Sequence, residues 1–287
     1  MTADIWALIR VFEKDFNKIW DRFKKTQTLI ENLINLNITN IQILIPKNED
    51  KIWFFHLFRE KFEKNEKFKK TSIQIYEVDW NHFTDLLNYW IKNNILNWVK
   101  YSLIISPEVW HLLNRELIST LLSFLNTKEV CAASIIVNFN KFNYNSKEKN
   151  KIQLFSNTCC IWKTKLLDEV WLFWEEWKYW VEEIWPTIKL IQKGYKIKLK
   201  QINQKKEYIH VPGSEQYQSF KIQSKLIRQI NSYLLFLKIN SKISDDSFDN
   251  SYCSQNYNIF KPSLNLKLRK EYENRLIEIT NQWIYIE

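Results

Sequence analysis

Residues 72 to 108, SIQIYEVDWNHFTDLLNYWIKNNILNWVKYSLIISPE, decide the fold class. Ser72–Val78 is predicted as a strand, Phe83–Asn93 as a helix, and Tyr101–Ile105 as a second strand that ends in Ser106-Pro107-Glu108. A strand, a helix and another strand make the unit from which parallel sheets are built. Toward the amino terminus the same alternation holds. The apolar run Ile5–Val11 is followed by a helical pattern in which Phe16, Ile19, Phe23, Leu29, Ile30, Leu33 and Ile34 return to one side. Ile41–Ile45 is a buried-strand pattern that stops at Pro46, and the loop Lys47-Asn48-Glu49-Asp50 leads into a helical stretch through Phe54, Leu57, Phe58 and Phe62.

Toward the carboxyl terminus, Leu112–Leu125 is predicted helical and Val130–Asn138 a strand, followed by a polar, Lys-rich loop, KFNYNSKEKNK. Ile152–Cys160 reads as a strand and Ile161–Leu167 as a short helical turn. The alternation predicts an α/β fold with a mainly parallel sheet covered on both faces, its ligand site at the carboxyl ends of the strands. Beyond Gln204 the alternation fades: Tyr217–Ile239 is helical, residues 241–258 are Ser/Asn/Asp-rich and predicted mobile, and Leu264–Ile279 is a last amphipathic helix. The expected organisation is therefore an α/β domain over 1–206 and a mostly helical extension over 207–287.

A chain of 287 residues with 45% hydrophobic content buries a sizeable core. The formal charge of +10 is spread through Lys-rich stretches such as Lys61–Lys70 and Lys193–Lys206. A composition heavy in Lys, Asn and Ile reflects genomic base bias more often than a polyanion-binding face, and no nucleic-acid partner is expected. Cys131, Cys159, Cys160 and Cys253 form no CxxC pair, which indicates neither a metal site nor a disulfide framework and fits a reducing compartment. The start, MTADIWALIRVFEKDF, carries acidic residues and too short an apolar run for a signal peptide, and no segment approaches 18 uninterrupted apolar residues. A soluble, cytoplasmic protein is expected, with contact to the inner face of a membrane left open.

One segment departs from the regular pattern. In Leu172–Leu199, LFWEEWKYWVEEIWPTIKLIQKGYKIKL, and the Trp just before it, indoles recur at every third position: Trp171, Trp174, Trp177 and Trp180. A helix would rotate such a series by roughly 60° per step, so no single buried face collects them, and a loop is the better account. From Val181 helical spacing returns through Ile184, Ile188, Leu190 and Ile191, with Pro186 near the start and Gly194 just past the end. Glu182 and Glu183 then stand at a helix N-terminus, where the macrodipole favours carboxylates whether or not they do chemistry.

The order of features resembles the family 2-like glycosyltransferases of the GT-A fold over roughly Ile5–Leu199. The best part is Asn157–Leu199. There NTCCIWKTKLLDEVWLF is similar to the family's small-residue strand and "Arg/Lys, x, x, Leu, x, x, Val-Gly-Gly-Phe" turn, and WVEEIWPTIKLIQKGYKIKL to its acidic pair, helix and following strand. The resemblance implies transfer of a sugar from a nucleotide-sugar donor to a glycan, lipid or protein acceptor, with Glu182 or Glu183 as the base that deprotonates the acceptor hydroxyl. It also implies an acidic residue against the nucleotide base in the loop after the second strand, Asp50 first and Glu49 next. Ser106-Pro107-Glu108 occupies the place of the family's Asp-x-Asp motif, where carboxylates hold a divalent cation, Mn²⁺ or Mg²⁺, against the diphosphate. Only Glu108 can act there, because Ser106 replaces the first Asp. His210 sits roughly where some members supply a metal or diphosphate contact. The broken motif keeps a second reading open, a non-catalytic nucleotide-sugar or glycan-binding protein of the same fold. A basic RNA-associated protein is the third.

Composition adds one more expectation. Gly occurs 2 times, where about 7% of residues, or roughly 20, is usual, and Trp occurs 14 times. The two counts together come near an ordinary Gly count. Trp171 and Trp180 fall where the resembled family has Gly, and Trp90, Trp98 and Trp110 are expected to follow helix or strand ends, where Gly supplies positive φ. UGA means Gly in some genetic codes, and the set predicted to be Gly is Trp6, Trp80, Trp90, Trp98, Trp110, Trp171, Trp174, Trp177, Trp180 and Trp185. Trp162, inside the apolar IWKTKLL segment, is the expected exception.

Overall fold

A computed structural model describes residues 4–11, 19–47, 52–78, 83–137, 158–170, 173, 183, 186–187, 189–190, 193–202 and 284–286. The chain order is β1 (Ile5–Arg10), α1 (Ile19–Asn35), β2 (Asn40–Pro46), α2 (Ile52–Phe58), β3 (Ser72–Val78), α3 (Phe83–Leu96), β4 (Tyr101–Ile105), α4 (Arg115–Leu125), β5 (Val130–Val137), β6 (Cys159–Lys163), α5 (Thr164–Asp168), β7 (Lys196–Ile202) and β8 (Ile284–Ile286). These strands form one sheet in the order β3-β2-β1-β4-β6-β5-β7-β8. All neighbours pair in parallel except at β6, which runs antiparallel to both β4 and β5. The fold is α/β, a mostly parallel open sheet flanked by helices, consistent with a GT-A-like architecture.

Alternation along the strands divides the core between the two faces of this sheet. In β1, Ile5, Ala7 and Ile9 join the cluster that holds α1 and α4, while Leu8 joins the one beneath α3 and α5. Every residue of β4 is buried, as expected of a strand covered on both faces. Helix α1 buries Ile19, Phe23, Thr26, Leu29, Ile30 and Leu33, a stripe at three- and four-residue spacing, and each fully buried Leu or Ile contributes about 1.5–3 kcal/mol. Beyond Phe58, α2 passes into one π-helical turn, Arg59–Glu63, that keeps Phe62 packed on Phe58 (centroids 5.4 Å apart). The Glu63 carboxylate accepts the Ile75 amide of β3 at 2.7 Å and ties that turn to the sheet.

Several boundaries differ from the sequence reading. Ile161-Trp162-Lys163 is not helical: it continues β6, whose residues pair with β4 and β5, and the helix begins only at Thr164. Pairing on both sides outweighs local propensity here. Asn114 caps α4 by accepting the Leu117 amide at 2.8 Å, so that helix starts at Arg115 and not at Leu112. The last strand, β8, falls within the segment expected to be a mostly helical extension and pairs in parallel with β7. Of the three indoles expected at glycine-type backbone, only Trp98 has positive φ, 56°. Trp90 lies inside α3, fully buried, and Trp110 has φ −50°. The helical pattern simply runs past Trp90 to Leu96. Trp80, Trp171, Trp174, Trp177, Trp180 and Trp185 lie outside the described residues.

Candidate functional site

The strand order places a switch point at the centre of the sheet. From β1 the chain moves outward through β2 and β3 and then returns to β4 on the other side of β1, so the crevice between the carboxyl ends of β1 and β4 is where an open α/β sheet takes a ligand. Antiparallel β6 brings its first residues, not its last, to that same edge: Cys159 pairs with Ile105 and Cys160 with Ile104.

Two pairs of charged residues lie toward that edge, one on each face of the sheet. Arg10 ends β1 and, two positions after Leu8, faces the α3/α5 side of the sheet, the side that also holds Cys160. Glu183 is 4% exposed and begins a helical turn, its carbonyl accepting both the Thr187 amide (3.2 Å) and the Thr187 hydroxyl (2.6 Å). The Cys160 thiol reports both neighbours. Burial pushes it well above its ordinary pKa, Cys159, Cys131 and the Glu183 carboxylate push the same way, and Arg10 opposes them. Burial also pushes Cys131 and Cys159 up to about 12. Burial thus holds all three thiols toward their neutral form.

On the other face, Glu108 sits in a single 3₁₀ turn, Pro107–Val109, that follows β4. The Ser106 amide donates to the Thr158 carbonyl at 2.8 Å, which fixes the start of this turn against β6. Glu108 Oε1 pairs with Arg22 Nη1 of α1 at 2.6 Å, while Oε2 is buried with no hydrogen-bond partner among the described residues. A carboxylate already neutralised by a buried guanidinium is a weak cation ligand. No group of three or more His, Cys, Asp or Glu side chains among the described residues is placed to hold a metal ion. These residues alone do not make a cage for a divalent cation.

Glu182, Asp50, Glu49 and His210 lie outside the described residues. Arg10 and Arg22 went unnoticed in the sequence, although both carried a signal. Arg10 is the one charged residue in the apolar run Ile5–Val11, and Arg22 falls three residues after Ile19 on the apolar stripe of α1. Asn88 was missed as well: its Nδ2 donates to the Phe173 carbonyl at 2.5 Å and its Oδ1 accepts the Phe173 amide at 2.9 Å, which anchors the chain ahead of the acidic pair to α3. No helix among the described residues is long and apolar enough to cross a membrane.

No protein-family model matches the chain. No curated protein matches it either. Among solved structures, it is similar to a cytidylyltransferase from Leptospira borgpetersenii, with 10% identity over 85% of this chain and 98% of that one and a TM-score of 0.43. It is also similar to a protein from Bacillus anthracis named as a candidate glucose-1-phosphate thymidylyltransferase, with 11% identity over 70% of this chain and 87% of that one and a TM-score of 0.43. The fold itself is defined by strand order and register.

Proposed function

We propose that the chain is a glycosyltransferase that moves a sugar from a nucleotide-sugar donor to an acceptor hydroxyl. The observation that carries this reading is the placement of Glu183, a buried carboxylate of the acidic pair, with Arg10 beside Cys160 near the carboxyl edge and the switch point. In this reading the carboxylate of Glu183, or of its neighbour Glu182, takes the acceptor proton as the oxygen attacks the anomeric carbon. Arg10 offers the fixed positive charge that a departing nucleotide diphosphate needs. The same reading gives Asp50, with Glu49, the role of contacting the nucleotide base. The Arg22–Glu108 ion pair favours a second reading, a nucleotide-sugar-binding protein of the same fold without catalysis, because it occupies the one carboxylate left in the metal motif.

Calorimetric titration of UDP-sugars and GDP-sugars into the full chain, with EDTA and then with Mn²⁺ or Mg²⁺, tests these readings. Saturable binding in EDTA with turnover supports basic side chains as the leaving-group stabilisers. Binding without turnover supports the non-catalytic protein. Binding that needs the ion and is weakened by Glu108→Ala restores Glu108, with His210, as a metal ligand. No binding to any nucleotide sugar, with salt-sensitive affinity for RNA, would replace the proposal with the RNA-associated reading.

A further inference from the structure

Three helix-to-strand turns at the amino edge of the sheet close in the same way. After α1 the Ile38 amide reaches back to the Leu33 carbonyl (2.9 Å) and Asn37 to Ile34 (2.8 Å); after α3, Val99 reaches Asn94 (2.9 Å) and Trp98 reaches Ile95 (3.0 Å). Ahead of β7, Tyr195 reaches Leu190 at 3.0 Å. The residue before the closing amide is left-handed each time, Asn37 at φ 60°, Trp98 at 56° and Gly194 at 86°. This is the helix stop that asks for Gly, or for Asn, whose short polar side chain tolerates it. Gly194 and Asn37 meet that demand. Trp98 does not.

Among the described residues, nothing around Trp98 offsets the strain. The side chain is 92% exposed, so the indole gains almost no packing. Strained backbone often marks a functional site, yet Trp98 precedes β4 at the amino edge, opposite the carboxyl-end crevice. Trp162 is the contrast: fully buried in β6 and edge-on to Phe173 with ring centroids 5.6 Å apart, it fills space that a smaller residue would leave empty.

We propose that the residue the cell places at position 98 is glycine, encoded by UGA and written as Trp by a translation that reads UGA as Trp. The same reassignment then accounts for 2 Gly against 14 Trp in the chain, and for the indoles at every third position from Trp171 to Trp180, while Trp162 stays a genuine tryptophan encoded by UGG. The inference is independent of the glycosyltransferase reading and survives its failure.

The test is the gene together with the protein from the source cells. UGA at codon 98, UGG at codon 162, and a tryptic peptide from Asn93 to Lys100 that carries Gly at its sixth position are the expected results. UGG at codon 98, or Trp in that peptide, overturns the proposal. A second arm uses recombinant protein with Trp at 98: Trp98→Gly is expected to raise the melting temperature by about 2–5 °C and Gly194→Trp to lower it. An unchanged or lower melting temperature in Trp98→Gly removes the structural ground.

Discussion

At the carboxyl edge of the sheet, Arg10, Arg22, Glu108 and Glu183 set four charges against apolar neighbours, whereas buried Asn94, Ser102 and Thr164 near the amino edge are neutral and hydrogen-bonded to one another, with only Asn94 Oδ1 of that chain left without a partner among the described residues. There Asn94 Nδ2 donates to Ser102 Oγ at 2.9 Å, and Ser102 Oγ lies 2.9 Å from Thr164 Oγ1, linking α3, β4 and α5. A neutral hydrogen-bonded chain fixes how elements pack at modest desolvation cost, while a buried charge is expensive unless it is paired or has work to do. On the proposed function, the neutral network at the amino edge serves stability and the charges at the carboxyl edge serve the ligand, so substitutions at the two should fail in different assays.

The largest effect is expected at Glu183. Glu183→Gln should leave the fold and donor affinity in place while sugar transfer falls by about 10²- to 10⁴-fold, the weight of general-base catalysis, with Glu182→Gln made alongside. Full turnover in both variants would remove the acidic pair from the mechanism and leave the carboxyl edge without a base.

Next comes the ion pair. Arg22→Met strands the Glu108 carboxylate in a partly buried setting and is expected to destabilise the chain by about 2–4 kcal/mol in urea titration, with much of the loss recovered in Arg22→Met/Glu108→Gln. Additive losses in the double variant would mean that the two side chains do not depend on each other. Ser102→Ala is expected to cost less, about 1–3 kcal/mol, because it leaves the Asn94 amide and the Thr164 hydroxyl short of a partner. Its nucleotide-sugar affinity should match that of the parent chain; a large loss of affinity would break the division between the edges.

The smallest effect concerns His111, in the turn before α4. Burial, and then the nearby Lys25 charge, hold its pKa below the ordinary 6.5. The unfolded chain therefore takes up this proton first as pH falls, so the contribution of His111 is present above pH 6.5 and lost on acidification. Denaturation midpoints from pH 8 downward should show a shallower acid-side decline in His111→Gln; identical profiles would show that His111 does not contribute.

The alternation of β1 through α4 and the β5 strand is legible in the residues, because the strands are short apolar runs bounded by polar or Pro residues and the helices carry a one-sided stripe. The acidic pair beside a helix start makes Glu183 a candidate base, and the Gly-poor, Trp-rich composition singles out Trp98 among others. Long-range pairing and packing, by contrast, place Trp162 in a strand, add residues 284–286 to the sheet as β8, and make Trp90 core. Strand pairing joins residues far apart in sequence, and local periodicity carries no record of that partner. The same holds for the site. Glu108 looks like a lone metal ligand until α1 brings Arg22 to within 2.6 Å, and Arg10 looks like a stray charge until antiparallel β6 brings Cys160 to the same edge, with Glu183 close by. Residue type and spacing specify what a side chain can do; the crossing of β1, β4 and β6 decides which other charges it meets.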